Sequence, residues 1–444
     1  MGSNKQVLFQ IVLVAIFTVA AVIGVFVLAR GGGIGKTVIP VTPVTIWGPR
    51  FTGENVSILI ADLAKKDARL EKVTYVEKHP MTLYSDTLEA IATGNAPDMV
   101  ILDQQSMLPL KNKLRPLPYD SYSIGDFRHD FVEIGEIFLQ DEGVYALPFA
   151  VDPLVLFWNR DIFTNSAIAQ VPENWDTFVR LAPRLSVIAN GADLRQGAVA
   201  FGEYDNVMHA KEILSALMFQ LGNPIMQRIN GKFKSGLLVA QDQTARSPGK
   251  ALTFYTDFAN PNKLVYSWNK KFARSREAFS TNKVAMYAGF ASEVPTLTQT
   301  NPNLNFGLAL WPQSTVGTQK VTYGKVYGIA LLATSPNKDR AFSVMRALTE
   351  RTSTDFWKAA TLLPSVRRDM LTEVSNDDPY ADVLVRSAIM ARTWLEPARG
   401  EGRDVDEVFR SLVNTVVSNK ESSESAIAEA HRDLEALYEE YNAN

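Results

Sequence analysis

The chain has 444 residues, 46% hydrophobic and 21% charged, enough for two or three folding units with substantial cores. Lys and Arg number 45 against 48 Asp and Glu, a net charge of −3; with no RNP or zinc-finger motif this argues against nucleic acid as a partner. There is no cysteine, which excludes disulfides, thiol catalysis, thiolate metal sites and an acylated lipoprotein anchor.

Val7 to Ala29 is an apolar stretch with no charge and one amide side chain, Gln10. At about 1.5 Å per residue it spans roughly 35 Å, enough for a bilayer core and longer than the apolar region of a signal peptide. Residues 1–30 are therefore expected to be an uncleaved transmembrane helix, the alternative being a cleaved signal ending at Val27 to Ala29. Lys5, Arg30 and Lys36 give no bias that would orient it. Residues 31–43, rich in Gly and then Pro, read as a linker. Gly35-Lys36-Thr37 is no phosphate loop, because Arg30 stands where that pattern needs glycine.

From Val44 the periodicity alternates between strand and helix. Val44 to Trp47, Val73 to Val76 and Asp98 to Leu102 are predicted strands. Between them Val56, Leu59, Ile60 and Leu63, and then Tyr84, Leu88 and Ile91, recur at helical spacing, the second helix closed by Gly94. Strand-helix-strand-helix-strand implies a parallel sheet with right-handed crossovers, whose ligands gather beyond the carboxyl ends of the strands. Those ends are Trp47-Gly48-Pro49, the residues after Val76, and Asp103-Gln104-Gln105. Further on, Tyr145 to Leu147 reads as a strand stopped by Pro148, and Pro153 to Trp158 as a second; an extended bridge, Pro148 to Pro153, joins them with no hairpin signal. Beyond it come a helix presenting Trp175, Phe178, Val179 and Ala182, a strand at Gly197 to Gly202, and a helical region over 207–222. Ala251 to Phe258 is a helix, Val284 to Tyr287, Phe306 to Trp311 and Val326 to Ala333 are strands, and Lys338 to Thr349 is a helix. Ile427 to Tyr441 closes the chain with an amphipathic helix.

Signatures of catalysis are weak. His79, His129, His209 and His431 have no metal-ligand spacing, and no HExxH, GxSxG or SxxK pattern occurs. Asp377-Asp378 and Glu439-Glu440 read as solvated pairs. We expect no enzyme, no cofactor and no metal. Trp47, Tyr204, Trp268, Phe290, Trp311, Tyr327 and Trp394 lie near element ends, where flat rings suit a ligand with apolar faces and hydroxyl edges, such as a sugar. Core packing is the other reading of each.

Five segments then point one way. Gly94-Asn95-Ala96-Pro97-Asp98-Met99-Val100 resembles a G-x-x-P-D-hydrophobic segment. Gly143 to Pro148 and Trp158-Asn159-Arg160-Asp161 are similar to a first hinge crossing. Asn174-Trp175-Asp176 matches a P-x-T-W-D/E turn with Asn for Thr. Ala278-Phe279 with Lys283 to Met286 matches A-F-x-x-G-K-x-A-M, with Asn282 for Gly. In this order they resemble the extracellular solute-binding proteins of ABC importers, the family that includes maltose-binding protein, from about Val44 to the C-terminus.

The resemblance implies an α/β, two-lobed periplasmic-binding-protein-like fold that closes on ligand, preceded here by the transmembrane helix. It implies a first lobe of 44–148 with 312–334 and a second of 149–311 with 335–444, the Pro148–Pro153 bridge being one crossing and others falling near Pro312 and Ala333. It places an acidic ligand contact at Asp152. Ligand is then expected between Trp47, Tyr84 and Asp103 on one side and Tyr204, Trp268 and Phe290 on the other, with Phe290 where a sugar binder often has tryptophan. The implied protein is a monomeric, membrane-tethered extracytoplasmic receptor for a small solute, carbohydrate first, that meets permease and ATPase subunits. The alternatives are a tethered glycan-acting enzyme and a sensor or scaffold derived from a binding protein.

Overall fold

Strand and helix periods in Val44–Pro49 (β1), Val56–Ala64 (α1), Val73–Lys78 (β2), Leu83–Thr93 (α2) and Met99–Leu102 (β3) build the expected βαβαβ unit in the computed structural model. The structure describes residues 14, 17–19, 41–189, 193–238, 246–316, 319–371, 379–397 and 404–443. β1 lies between β2 and β3 and parallel to both. Asn55 caps α1 by accepting from the N–H groups of Ser57 and Ile58, and Gly94 ends α2 at a left-handed φ of 74°. All four residues of β3 are buried, as a parallel strand covered on both faces requires.

Met1–Pro43 forms a unit of its own and Val44–Asn444 another. The Val7–Ala29 stretch lies outside the described residues except for 14 and 17–19, and so does most of the linker. Among the described residues no helix is long and apolar enough to cross a membrane.

The bridge differs from expectation. Leu147–Asn159 (β4) is one continuous strand of 13 residues rather than two strands joined by an extended segment. Its prolines do not break it because each faces a glycine of Thr322–Leu331 (β9): Pro153 is opposite Gly324, and Pro148 is opposite Gly328 beside a register shift. Proline survives in a strand at such an irregularity. β9 runs antiparallel to β4 over Leu147 to Pro153 and continues alongside β3.

Beyond Pro153 the same strand β4 enters a second sheet region. Val187–Ala189 (β5), Asp193–Val199 (β6), Val284–Phe290 (β7) and Phe306–Ala309 (β8) join it. β7 and β8 run antiparallel to β4, and β6 runs parallel to β7. Among the described residues ten strands make one sheet, ordered β2-β1-β3-β9-β4-β7-β6-β5, with β8 beside β4 and Ala391–Arg392 (β10) beside β9. Among the described residues, the two lobes thus share two antiparallel strands that cross between them, β4 and β9. Pro312 is no crossing: Gln220 donates to its carbonyl and the Trp175 N–H donates to the Gln313 carbonyl, holding that loop in the second lobe.

Helix Trp175–Leu185 (α3) buries Trp175, Phe178, Ala182 and Leu185 and leaves Val179 exposed. Fully burying such side chains contributes roughly 1.5–3 kcal/mol each. Ala210–Gln220 (α4) is buried along most of its length. Lys338–Thr349 (α5) and Thr354–Thr361 (α6) pack on the first lobe: Arg69 pairs with Glu350 at 2.7 Å, and the N–H groups of Gly53 and Glu54 donate to Ala360 and Ala359. This part of the stretch expected with the second lobe, 335–444, therefore packs on the first. Val405–Val417 (α7) and Ser423–Ala443 (α8) pack on each other and on the second lobe's helix Pro248–Asp257.

Candidate ligand-binding cleft

Register fixes where the two lobes face each other. Leu102, the last residue of β3, is opposite Gly328 of β9, and Phe290, the last of β7, is opposite Leu154 of β4. The carboxyl ends of both lobes' parallel strands therefore converge on the middle of the two crossings. Lys325 and Tyr327 of β9 are half-buried there.

Asp152 sits at this junction, 1% exposed. It is paired in register with Lys325, so the two side chains leave the sheet on the same face. Asp152 Oδ1 accepts from the Ser292 N–H at 3.0 Å, while Oδ2 has no hydrogen-bond partner. Burial pushes its carboxyl up, against the charge of Lys325. Phe290 is 1% exposed; the His209 ring meets it edge-on at 4.7 Å, and Lys325 Nζ lies 4.0 Å from its centre. Glu293 fixes the turn that follows, taking the Phe290 N–H at 2.9 Å and the Tyr287 hydroxyl at 2.7 Å, with His209 Nε2 at 2.7 Å. Burial alone would raise the Glu293 carboxyl, but His209 and these donors hold it at about 2. Neither Glu293 nor His209 was legible as a pair, since they meet across 84 residues.

A second cluster lies at the start of α4. Lys211 is 2.8 Å from Glu396 and 3.2 Å from Asp406. Burial would pull its ammonium down, but Glu396, Glu212 and Asp406 keep it well above its ordinary value. Gln105 of the first lobe donates to Glu396 at 3.2 Å, so this cluster joins the lobes. The Tyr204 hydroxyl reaches Asp406 at 3.4 Å, and Arg410 lies 5.4 Å over its ring.

The other expected residues divide. Asp103 commits one carboxylate oxygen locally: its Oδ1 takes the N–H groups of Gln105 and Ser106 and the Ser106 hydroxyl, closing a turn. The Asp-x-x-Ser spacing was the local signal for this. Trp47 is half-buried, with Lys78 Nζ 3.9 Å over its ring. Tyr84 is 38% exposed in the first turn of α2. Trp268 is 0% exposed; its indole N–H goes to Asn206 at 3.0 Å and its ring stacks on Phe272 at 4.5 Å, so it presents no face to a ligand. Trp311 and Trp394 are core residues, packed on Trp175 and Phe409. Phe51, Phe149, Tyr327 and Trp357 form an aromatic group at the first-lobe side of the crossings, with Phe149 and Trp357 stacked at 3.8 Å. Nothing in their local sequence marks Phe51, Phe149 and Trp357 as a set.

Among the described residues no group of His, Asp and Glu could hold a metal ion. A cavity of about 230 Å³ lies apart from the seven expected residues, between α6 and helix Ala381–Met390, and is lined in part by Pro364 and Ser365, the segment bonded to β4.

Comparison with known proteins agrees with this architecture. A family model described as bacterial extracellular solute-binding protein matches residues 60–382. A curated protein of Brucella abortus, named by inference as a binding protein, is 21% identical over 360 residues, covering 78% of this chain and 81% of its own. Among solved structures, a cyclo/maltodextrin-binding protein complexed with maltotetraose aligns with a TM-score of 0.70 at 17% identity, covering 90% of this chain and 97% of its own. An ABC transporter solute-binding protein of Thermotoga lettingae bound with α-D-tagatose aligns at 0.64 and 18% identity, over 89% and 100%. The GacH receptor of Streptomyces glaucescens, solved unliganded and with acarbose, aligns at 0.64 and 17%, over 90% and 99%. At these identities the structural likeness establishes the fold.

Proposed function

Because the chain belongs to the bacterial extracellular solute-binding protein family, we propose that it is the tethered receptor of an ABC importer, held to the membrane by Val7–Ala29 and closing two lobes on a carbohydrate or similarly small polar solute. The observation that carries this reading is the convergence of both lobes' strand ends on β4 and β9, where Asp152 takes the Ser292 N–H and its register partner Lys325 lies over Phe290. The first lobe is 44–146 with 332–371, and the second is made of residues from 160–316 and 379–443. Trp47 and Tyr84 stand at the first-lobe wall and Tyr204 and Phe290 at the second, while Trp268 supports Asn206 from behind. A hydroxyl-rich ligand fits because Asp152 keeps a free acceptor beside an aromatic ring. Maltotetraose, tagatose and acarbose in the aligned proteins make carbohydrate the first class to test.

The test is thermal unfolding against a panel of mono- and oligosaccharides, then calorimetry on any that stabilise. Tyr204→Ala and Trp47→Ala are each expected to weaken binding about tenfold, the cost of losing a stacked ring. Turnover of any sugar would favour the glycan-acting alternative, and a panel without stabilisation would remove carbohydrate as the ligand class.

A further inference from the structure

Three rings expected to face ligand carry a cation of the protein itself. Lys325 Nζ lies 4.0 Å over Phe290, Arg410 lies 5.4 Å over Tyr204 and Lys78 Nζ lies 3.9 Å over Trp47. A carboxylate stands beside each: Asp152 opposite Lys325, Asp406 at the Tyr204 hydroxyl, and Asp86 at 3.4 Å from Lys78. A ring face with a carboxylate beside it takes the hydroxyls of a neutral pyranose, and holds a positive charge more strongly still.

The Phe290 site carries a second sign. Asp152 Oδ2 is buried without a donor, although the residue is only 1% exposed. A buried carboxylate oxygen left unpaired is costly until a donor reaches it. Around Lys211 carboxylates are in surplus, with Glu396, Glu212 and Asp406 facing one ammonium, whereas Glu293 is already paired with His209 and Arg276. A solute carrying a carboxylate would add to that surplus, and one carrying an ammonium would reduce it.

We propose that the solute bears a protonated amine, which docks on the face of Phe290 against Asp152 Oδ2 and displaces the Lys325 ammonium from that face. Lys325 then holds the site's charge balance while it is empty. This inference rests on the receptor reading for its location, but it concerns the charge of the solute rather than its being a sugar.

The probes are four: the β-1,4-linked glucosamine tetramer, its fully N-acetylated counterpart, cellotetraose, and spermidine as an amine without a sugar. In calorimetry the glucosamine tetramer should bind about tenfold or more tighter than the other two tetramers. That advantage should fall to about threefold or less in Asp152→Asn, which keeps shape and removes charge. Phe290→Leu, which keeps an apolar side chain and removes the ring, should reduce it too and stands in if Asp152→Asn does not fold. Equal or tighter binding of cellotetraose or the acetylated tetramer overturns the inference and leaves the carbohydrate receptor intact. Spermidine binding with no sugar binding sustains the amine and removes the carbohydrate reading. Failure of all four overturns both.

Discussion

At Asn282 the backbone takes a φ of 59°, in the left-handed region, and the side chain accepts from Asn159 at the end of β4. Asparagine tolerates this conformation better than most residues and adds a bond that glycine lacks. Asn282→Ala should cost about 1–2 kcal/mol in urea unfolding, and Asn282→Gly less, because it relieves the strain while losing only the bond. Asn174, in place of Thr in the related turn, caps α3 by accepting from the Thr177 N–H at 2.9 Å, so the exchange preserves its physical role. Glu293 makes a prediction about pH. Its carboxyl is held at about 2 against an ordinary 4.5, so its stabilisation is complete above the unfolded value and is lost as pH falls toward 2. On the order of 3 kcal/mol should disappear across that window. Asp152, raised by burial, acts in the opposite sense, gaining stability as pH falls. Comparing Glu293→Gln with the parent therefore isolates its contribution: the variant should start less stable at neutral pH, and the two acid-unfolding curves should converge toward pH 2.

Among the elements, β4 and β9 carry both the sheet and the cleft. A Cβ at Gly324 would come within 2.8 Å of Ala391 Cβ and 2.9 Å of Ile134 Cδ1. Gly324→Val should therefore destabilise by about 1–3 kcal/mol through overpacking, measured by chemical denaturation. The βαβαβ unit was legible because each turn from period 2 to period 3.6 is marked by Gly or Pro, and Lys338–Thr349 was legible to the residue. β4 was not, because a proline read locally ends a strand, and only the opposite glycines show why it continues. Nor was the lobe to which α5 and α6 belong, since an amphipathic stripe declares that a helix packs but not against what. The site divides in the same way. Candidates at strand ends were singled out by pattern, Phe290 by pattern and resemblance together, and Asp152 through family resemblance. Lys325, His209 and Glu396 reach it only through contacts distant in sequence.

Among the described residues of the Val44–Asn444 unit, side chains link the lobes besides the crossings at Gln105 with Glu396, at Glu133 with Arg392, and at Asp141 with Arg228 at 2.6 Å. Each holds the lobes in the arrangement seen here. Arg228→Ala should raise the radius of gyration of the unliganded protein in solution scattering and weaken ligand about two- to fivefold, the scale of a half-exposed ion pair. Saturating ligand should lower that radius in the parent, as rigid rotation about two strands requires. The crossings have one more consequence, which concerns time rather than geometry. The first lobe is completed only by segments near its far end: Arg69 waits for Glu350, 281 positions later, and β3 waits for β9. The second lobe in turn lacks α7 and α8 until the last residues are made. A ribosome delivering this chain from its N-terminus therefore releases neither lobe finished, and such distant pairings form slowly. A fragment of residues 44–320 should be digested by a dilute protease throughout, with no resistant core, whereas the full chain resists. For the exported receptor proposed above, which would thread a membrane before it folds, late completion keeps it threadable.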